Sequence, residues 1–417
     1  MNFYSSRKVR FINFLFLTFI VFFLFGFYFT GMESSKHSSG VRFGLFLLLF
    51  VILLSTSLKE VSGCLKSWYL KLELRVKVFI FLFLLMFFYY ILRSFSALEF
   101  SELRRLVVIF LFISLVSWFL IALDFRFDKV VYSLGLLGFL LGLSFLFNNI
   151  LFGEYALKLE PLRISTSGYE WFSSYSNTII AGLFYTYLLV ACVWSYLNSK
   201  RIGVIFFYYS ASILVVFAIF HTAARTAWLA SVVSLTVLFF FYLQKEKKKL
   251  AALYMPNFVV AILYPIFNYQ GVVREGLTYR DKIWIDHLKE MSGILDWLFG
   301  KGLSADMSFV DLPWGIKAAH PHSLYIESLY TGGVIGLLLF VSMLIALFYC
   351  LIKRARSSVE ISFILSVLSG VAVAMAFDFS GLFYTPNLVW LWLWFTVALA
   401  MREILTSKGN CVRARAV

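Results

Sequence analysis

Apolar side chains run along this chain in long blocks separated by short polar connectors, with no sustained two-residue alternation. Blocks of this kind match the roughly 20 helical residues needed to cross a hydrocarbon core. The missing alternation argues against a barrel, so each block reads as a helix whose backbone satisfies itself in lipid. The pattern predicts twelve spans, at 11–29, 41–58, 78–92, 106–122, 130–152, 176–197, 202–220, 226–243, 250–267, 332–352, 359–377 and 386–401. Only one long polar stretch interrupts them, 268–322 between the ninth and tenth spans. The expected architecture is an all-α polytopic membrane protein, one transmembrane domain over 1–417 with 268–322 as an extramembrane loop or cap.

Composition agrees. A chain of 417 residues that is 61% hydrophobic and 14% charged has more apolar side chain than a water-soluble core holds. The net charge of +15 sits mostly in short connectors on one side of the predicted bundle, which carry 23 Lys and Arg against 13 on the other. The positive-inside rule therefore puts both termini in the cytoplasm and turns 268–322 outward. The runs with Lys245, Lys247, Lys248, Lys249 and with Lys353, Arg354, Arg356 mark that side most clearly. Basic residues scattered this way are explained by topology and anionic lipid, which speaks against nucleic acid as a partner. Residues 11–29 follow Arg7, Lys8 and Arg10, but Thr30-Gly31-Met32-Glu33 offers no cleavage site, so they read as a first span rather than a signal peptide. Cys64 and Cys411 fall on the cytoplasmic side and Cys192 and Cys350 within spans, so neither a disulfide nor a thiolate metal site is expected.

The long loop has internal order. Ile283, Trp284, Leu288 and Met291 recur at helical spacing and predict an amphipathic helix that lies on the membrane or caps a cavity. Gly293, Gly300, Gly302 and Pro313 then mark a turn-rich return to His320.

Candidate chemistry collects on the outward side. Arg225, at the outward end of span eight, is either a snorkelling helix-end arginine or a functional group approached closely past Ala223, Ala224, Thr226 and Ala227. Arg274 and Arg280 follow span nine; a guanidinium presents a fork of donors matched to phosphate oxygens, although a lone loop arginine is commonly only a solvated residue. His322 opens the tenth span and titrates near neutrality, so it reads as either a hydrogen-bonded structural residue or a general base, with His320 as a possible partner in that role. His-x-His also invites zinc, but no third ligand is suitably spaced, and Asp281, Asp286 and Asp311 make no recognised ligand set. Glu327 and Asp378 are acids that would need partners and that could orient the histidine. Glu327 stands about 140° around a helix from His322, so structural hydrogen bonding is its default reading.

At this point the residues reach a family. His322-Ser323, nine residues, Gly333, two residues and Gly336 resemble the O-antigen ligase signature of His, then Asn, Ser or Gln, then the same spaced glycines. Arg225 with Leu229 resembles that family's second short motif, and Arg280-Asp281-Lys282-Ile283-Trp284 resembles the Arg-x-x-Ile-Trp segment of its large periplasmic loop. The resemblance covers roughly 221–340. It implies a metal-independent, cofactor-free membrane glycosyltransferase of GT-C-like fold in the Gram-negative inner membrane, with its site facing the periplasm. The implied donor is O-antigen polysaccharide on undecaprenyl diphosphate, and the implied acceptor is a sugar hydroxyl of the lipid A core. His322 would be the base, Arg225 and Arg280 would hold the diphosphate, and Arg274 competes with Arg280 for the loop role. The related O-antigen polymerase is the nearest alternative. It tends to carry two substantial outward loops, where this chain has one of that size. A transporter or flippase is a further alternative, against which stand the lack of an internal repeat and the few mid-membrane charges.

Overall fold

The computed structural model describes residues 6–29, 35–55, 72–96, 98–122, 127–151, 166–169, 172–174, 178–243, 279–305, 307–311, 317–318, 320–355, 358–384, 386–387 and 389–406. The predicted ninth span, Arg274, the basic run 244–249, Cys64 and Cys411 lie outside them.

Helices dominate, as a chain of lipid-soluble segments requires. In chain order they are α1 (Ser6–Phe29), α2 (Ser35–Ser55), α3 (Leu74–Ser96), α4 (Phe100–Ala122), α5 (Phe127–Phe145), α6 (Thr178–Asn198), α7 (Ile202–Thr222) and α8 (Arg225–Leu243). After the ninth predicted span come α9 (Arg280–Lys289), α10 (Ile294–Phe299), α11 (Leu324–Ala355), α12 (Val359–Phe377) and α13 (Thr396–Leu405). Wider π-type turns extend α5 through Leu146–Leu151 and precede α13 at Trp390–Phe395. Among the described residues, eight helices are long and apolar enough to cross a membrane: α3 to α8, α11 and α12. The protein is a multi-pass membrane protein, and eleven of the twelve predicted spans coincide with described helices.

Two places differ from the expectation. α11 begins at Leu324 rather than near 332, because Ser323 starts it: Glu327 N–H donates to the Ser323 carbonyl at 2.9 Å and Ile326 N–H to the Ser323 hydroxyl at 3.5 Å. Serine is a favoured residue at that boundary because its oxygen accepts an otherwise unpaired amide of the first turn. The fold also carries two small antiparallel ribbons, β1 (Thr166–Tyr169) with β2 (Phe172–Ser174), and β3 (Val310–Asp311) with β4 (Lys317–Ala318).

Packing follows from small and aromatic residues rather than from apolarity, which gives no helix an advantage over lipid. α6 is enclosed by α5, α7, α8 and α12. A Cβ on Gly138 of α5 would stand 2.8 Å from the Cys192 sulfur of α6, so a glycine lets those helices approach. α8 lies along α12, where Ser366 Oγ donates to the Ser234 carbonyl at 2.5 Å. Trp390, Trp392 and Trp394 are wholly buried. Trp394 Nε1 donates to the Leu382 carbonyl and Trp390 Nε1 to the Tyr384 carbonyl, both at 3.0 Å. These indoles fasten the segment after α12 across one end of the bundle.

Candidate functional site

The same end receives the polar loop, and it does so through a break in α11. Gly333 has φ 63 and ψ −171 inside an otherwise helical run, a conformation that suits glycine and strains any residue with a Cβ. The break frees three carbonyls, and each is taken by a neighbour. Lys301 N–H donates to Tyr330 O at 2.8 Å, Gly302 N–H to Thr331 O at 3.0 Å, and Tyr89 Oη to Gly332 O at 2.6 Å. Arg93 Nη2 closes the loop from below by donating to Gly300 O at 2.8 Å. A Cβ on Gly300 would overlap the Thr331 carbonyl, and one on Gly333 would overlap that of Leu298. Gly336 sits against the Tyr90 hydroxyl, which a Cβ would meet at 2.7 Å. The spaced glycines of the motif are thus where α11 meets the backbone of α10, at Gly333, and the tyrosine side chains of α3, at Gly336.

α9 covers the start of α11. Ile283, with Val310 and Ala318 of the ribbon, forms a small apolar cluster apart from the main core, and Lys282 Nζ donates to Asp311 O at 2.7 Å. α9 therefore packs on the ribbon and on the start of α11. Its buried face holds Ile283, His287 and, just beyond it, Met291. Trp284 Nε1 donates to Pro321 O at 2.7 Å, so the helix grips the His320-Pro321-His322 segment directly. His322 itself has φ 51, a left-handed backbone that few residues other than glycine adopt and that concentrates at functional sites.

Arg280, the first residue of α9, reaches across to the end of α12. Its Nη2 donates to Asp378 Oδ1 at 2.5 Å and its Nε to Phe377 O at 2.8 Å. The Asp378 side chain is 1% exposed, and its Oδ2 is buried without a hydrogen bond among the described residues. Asp378 and Arg280 both act electrostatically on His322. Burial is the largest influence and lowers the His322 pKa; Asp378 then raises it, and Arg280, His320 and His287 lower it. The net direction is down, so the imidazole is neutral at pH 7. His287 is held below its ordinary value in the same way, by burial that outweighs the nearby Glu290. The Glu290 carboxylate accepts the Tyr330 hydroxyl at 2.7 Å.

Arg225 begins α8. Its level follows from the pairing of α8 with α12: Ser366 meets Ser234, and Gly370 meets Ser234 and Ala230, so the helices run antiparallel. Asp378 lies about 12 Å along the axis beyond Gly370, and Arg225 about 8 Å beyond Ala230, at a rise of about 1.5 Å per residue. Arg225 is therefore at the same end of the bundle as Asp378.

Beside this cluster is a cavity of about 540 Å³, lined by His320, by Glu327, Ser328 and Thr331 of α11, and by the segment after α12. Glu327 does not face His322 as a partner. Its carboxylate accepts the Gly381 N–H, at 2.9 Å to Oε1 and 2.7 Å to Oε2, and so pins the turn that follows Asp378. Of the residues singled out in the sequence, His320, His322, Arg280 and Asp378 come together, Glu327 and Arg225 occupy the same end, and Arg274 lies outside the described residues. Tyr89 and Arg93, which hold the broken helix, and buried His287 were not anticipated. His287 carried a signal, since it falls four residues after Ile283 on the buried face of α9. Tyr89 and Arg93 carried none, because their partners are backbone atoms more than 200 positions away.

Residues 210–341 match the family model described as O-antigen ligase. This segment contains Arg225, Arg280, His322, Gly333 and Gly336. An O-antigen ligase of Pseudomonas aeruginosa is 30% identical over 138 residues, which are 33% of this chain and 32% of that protein. The chain thus spans about a third of the relative it matches. Residues 210–341, the segment that builds the broken helix and carries its histidine, are thus similar to the O-antigen ligase family.

Proposed function

We propose that the protein is a glycosyltransferase that moves O-antigen polysaccharide from undecaprenyl diphosphate to a sugar hydroxyl of the lipid A core, at the outer face of the bacterial inner membrane. The observation that carries this reading is the convergence of His322, Asp378 and Arg280 at one end of the bundle. A sugar hydroxyl is a poor nucleophile unless its proton is drawn off as it attacks. A neutral imidazole whose pKa lies below its ordinary value is in the form that accepts that proton. The acceptor oxygen bonds to the anomeric carbon as the bond from that carbon to the diphosphate oxygen breaks. The proton passes to His322 and then to water, and the stereochemistry inverts in one displacement. Asp378, within electrostatic reach, stabilises the imidazolium while it exists.

The leaving diphosphate needs positive charge. Arg280 shares its guanidinium with Asp378, so it acts as a positioned cation at the edge of the site. Arg225 is the second arginine of the reading. Neither requires a metal or cofactor.

The test uses purified protein, lipid-linked polysaccharide and rough lipopolysaccharide. His322→Ala is expected to lower transfer by about 10²- to 10⁴-fold, and Arg225→Ala or Arg280→Ala by about 10²- to 10³-fold, with membrane insertion unchanged. Wild-type transfer by the His322 variant sinks the base assignment. Product that remains on undecaprenyl and grows longer makes the protein a polymerase instead.

A further inference from the structure

The cavity beside the histidine cluster differs in character from the arginine-bearing side of the site. Glu102 and Glu327 bring carboxylates to its wall, Tyr384 and Phe309 bring aromatic faces, and His320 closes one side. No Lys or Arg is among the described residues that line it. Arg105 stands behind the wall, where it donates to Glu102 Oε1 at 2.6 Å and lies 5.1 Å from the centre of the Tyr384 ring. Its charge is thereby spent on holding both groups in place.

Glu102 and Glu327 lie on a wall whose described residues include no cation to pair with a diphosphate. The same carboxylates accept hydrogen bonds from hydroxyl groups. Flat aromatic faces suit the C–H surface of a pyranose. The volume, about 540 Å³, falls within the roughly 300–1,000 Å³ typical of small-ligand sites. His320 on the wall is two residues from His322, and two residues of chain reach at most about 7 Å. A ring seated here would present its hydroxyl to the proposed base, while the diphosphate stayed on the Arg280 side.

We infer that this cavity binds the polyhydroxylated ring of the acceptor sugar, an assignment that rests on the transferase reading above. It separates the two substrates: the anionic leaving group lies toward the arginines and the acceptor ring in the cavity, whose described lining carries no cation.

Ser308 and Phe309 are exposed on the cavity rim, so substitutions there fill or strip the cavity without disturbing the bundle. Ser308→Trp and Phe309→Ala are each expected to raise the acceptor KM about tenfold or more, with kcat and the donor KM near wild type. Delipidated core oligosaccharide competes with the acceptor in the wild type and loses most of its effect in Ser308→Trp, whereas inhibition by inorganic pyrophosphate is the same in both. A rise in the donor KM instead assigns the cavity to the donor's sugars and overturns the inference. So does an unchanged pair of KM values. Absence of transfer by the wild type under the same conditions would count against the transferase reading itself, a separate result.

Discussion

Gly333 lies with its backbone directly against that of Leu298, so close that a methyl group on Gly333 would overlap the Leu298 carbonyl. This contact joins the polar loop to α11, the longest helix among the described residues, and sets where His322, eleven residues earlier, enters the site. Gly333→Ala incurs both the cost of a left-handed backbone, about 1–2 kcal/mol, and that of overpacking, about 1–3 kcal/mol. We expect it to lower the unfolding temperature in detergent and to abolish transfer. Gly336→Ala, which meets side chains alone, Tyr90 Oη at 2.7 Å and the Tyr89 ring at 3.2 Å, should be milder on both measures.

Asp378 and Arg280 pull the His322 titration in opposite directions, which gives a signed test. Asp378→Asn removes an influence that raises the pKa, so the acid limb of the pH profile for transfer should move to lower pH. Arg280→Gln removes one that lowers it, so the limb should move to higher pH as the overall rate falls. Shifts of the same sign in both variants would show that His322 is not the titrating base.

Stability should depend on pH on the acid side. The pKa values of His322 and His287 are depressed in the folded protein, so below the ordinary histidine value of about 6.5 the unfolded chain binds protons that the folded chain resists. Stability is complete above that pH and is lost as pH falls toward the folded values. Thermal unfolding followed from pH 8 to pH 5.5 should show a falling midpoint, and His287→Phe, which keeps a ring in the buried position, should flatten the fall.

Trp284 holds the histidine segment through one hydrogen bond, from Nε1 to Pro321 O at 2.7 Å. Trp284→Phe keeps the ring and deletes the donor, at a cost of about 1 kcal/mol. A displaced base loses far more rate than stability, so transfer should fall roughly ten- to a hundredfold while the unfolding temperature changes little. Equal losses in both would make Trp284 a folding residue only.

Hydropathy along the chain is enough to identify a helical membrane protein with one long polar segment, because apolar blocks of bilayer length satisfy their backbone in lipid as helices. The sequence also marked Arg225, Arg280, His322 and the spaced glycines, since those residue types at that spacing are local and readable. The partners were decided only by the tertiary structure. That Arg280 meets Asp378 across 98 positions, that Glu327 binds the Gly381 amide rather than His322, and that the helix extends back to Leu324 past a break at Gly333 all depend on which helix ends share one end of the bundle. Helix order in lipid is set by close approach and backbone hydrogen bonds between distant segments, and hydropathy along a chain carries no record of either.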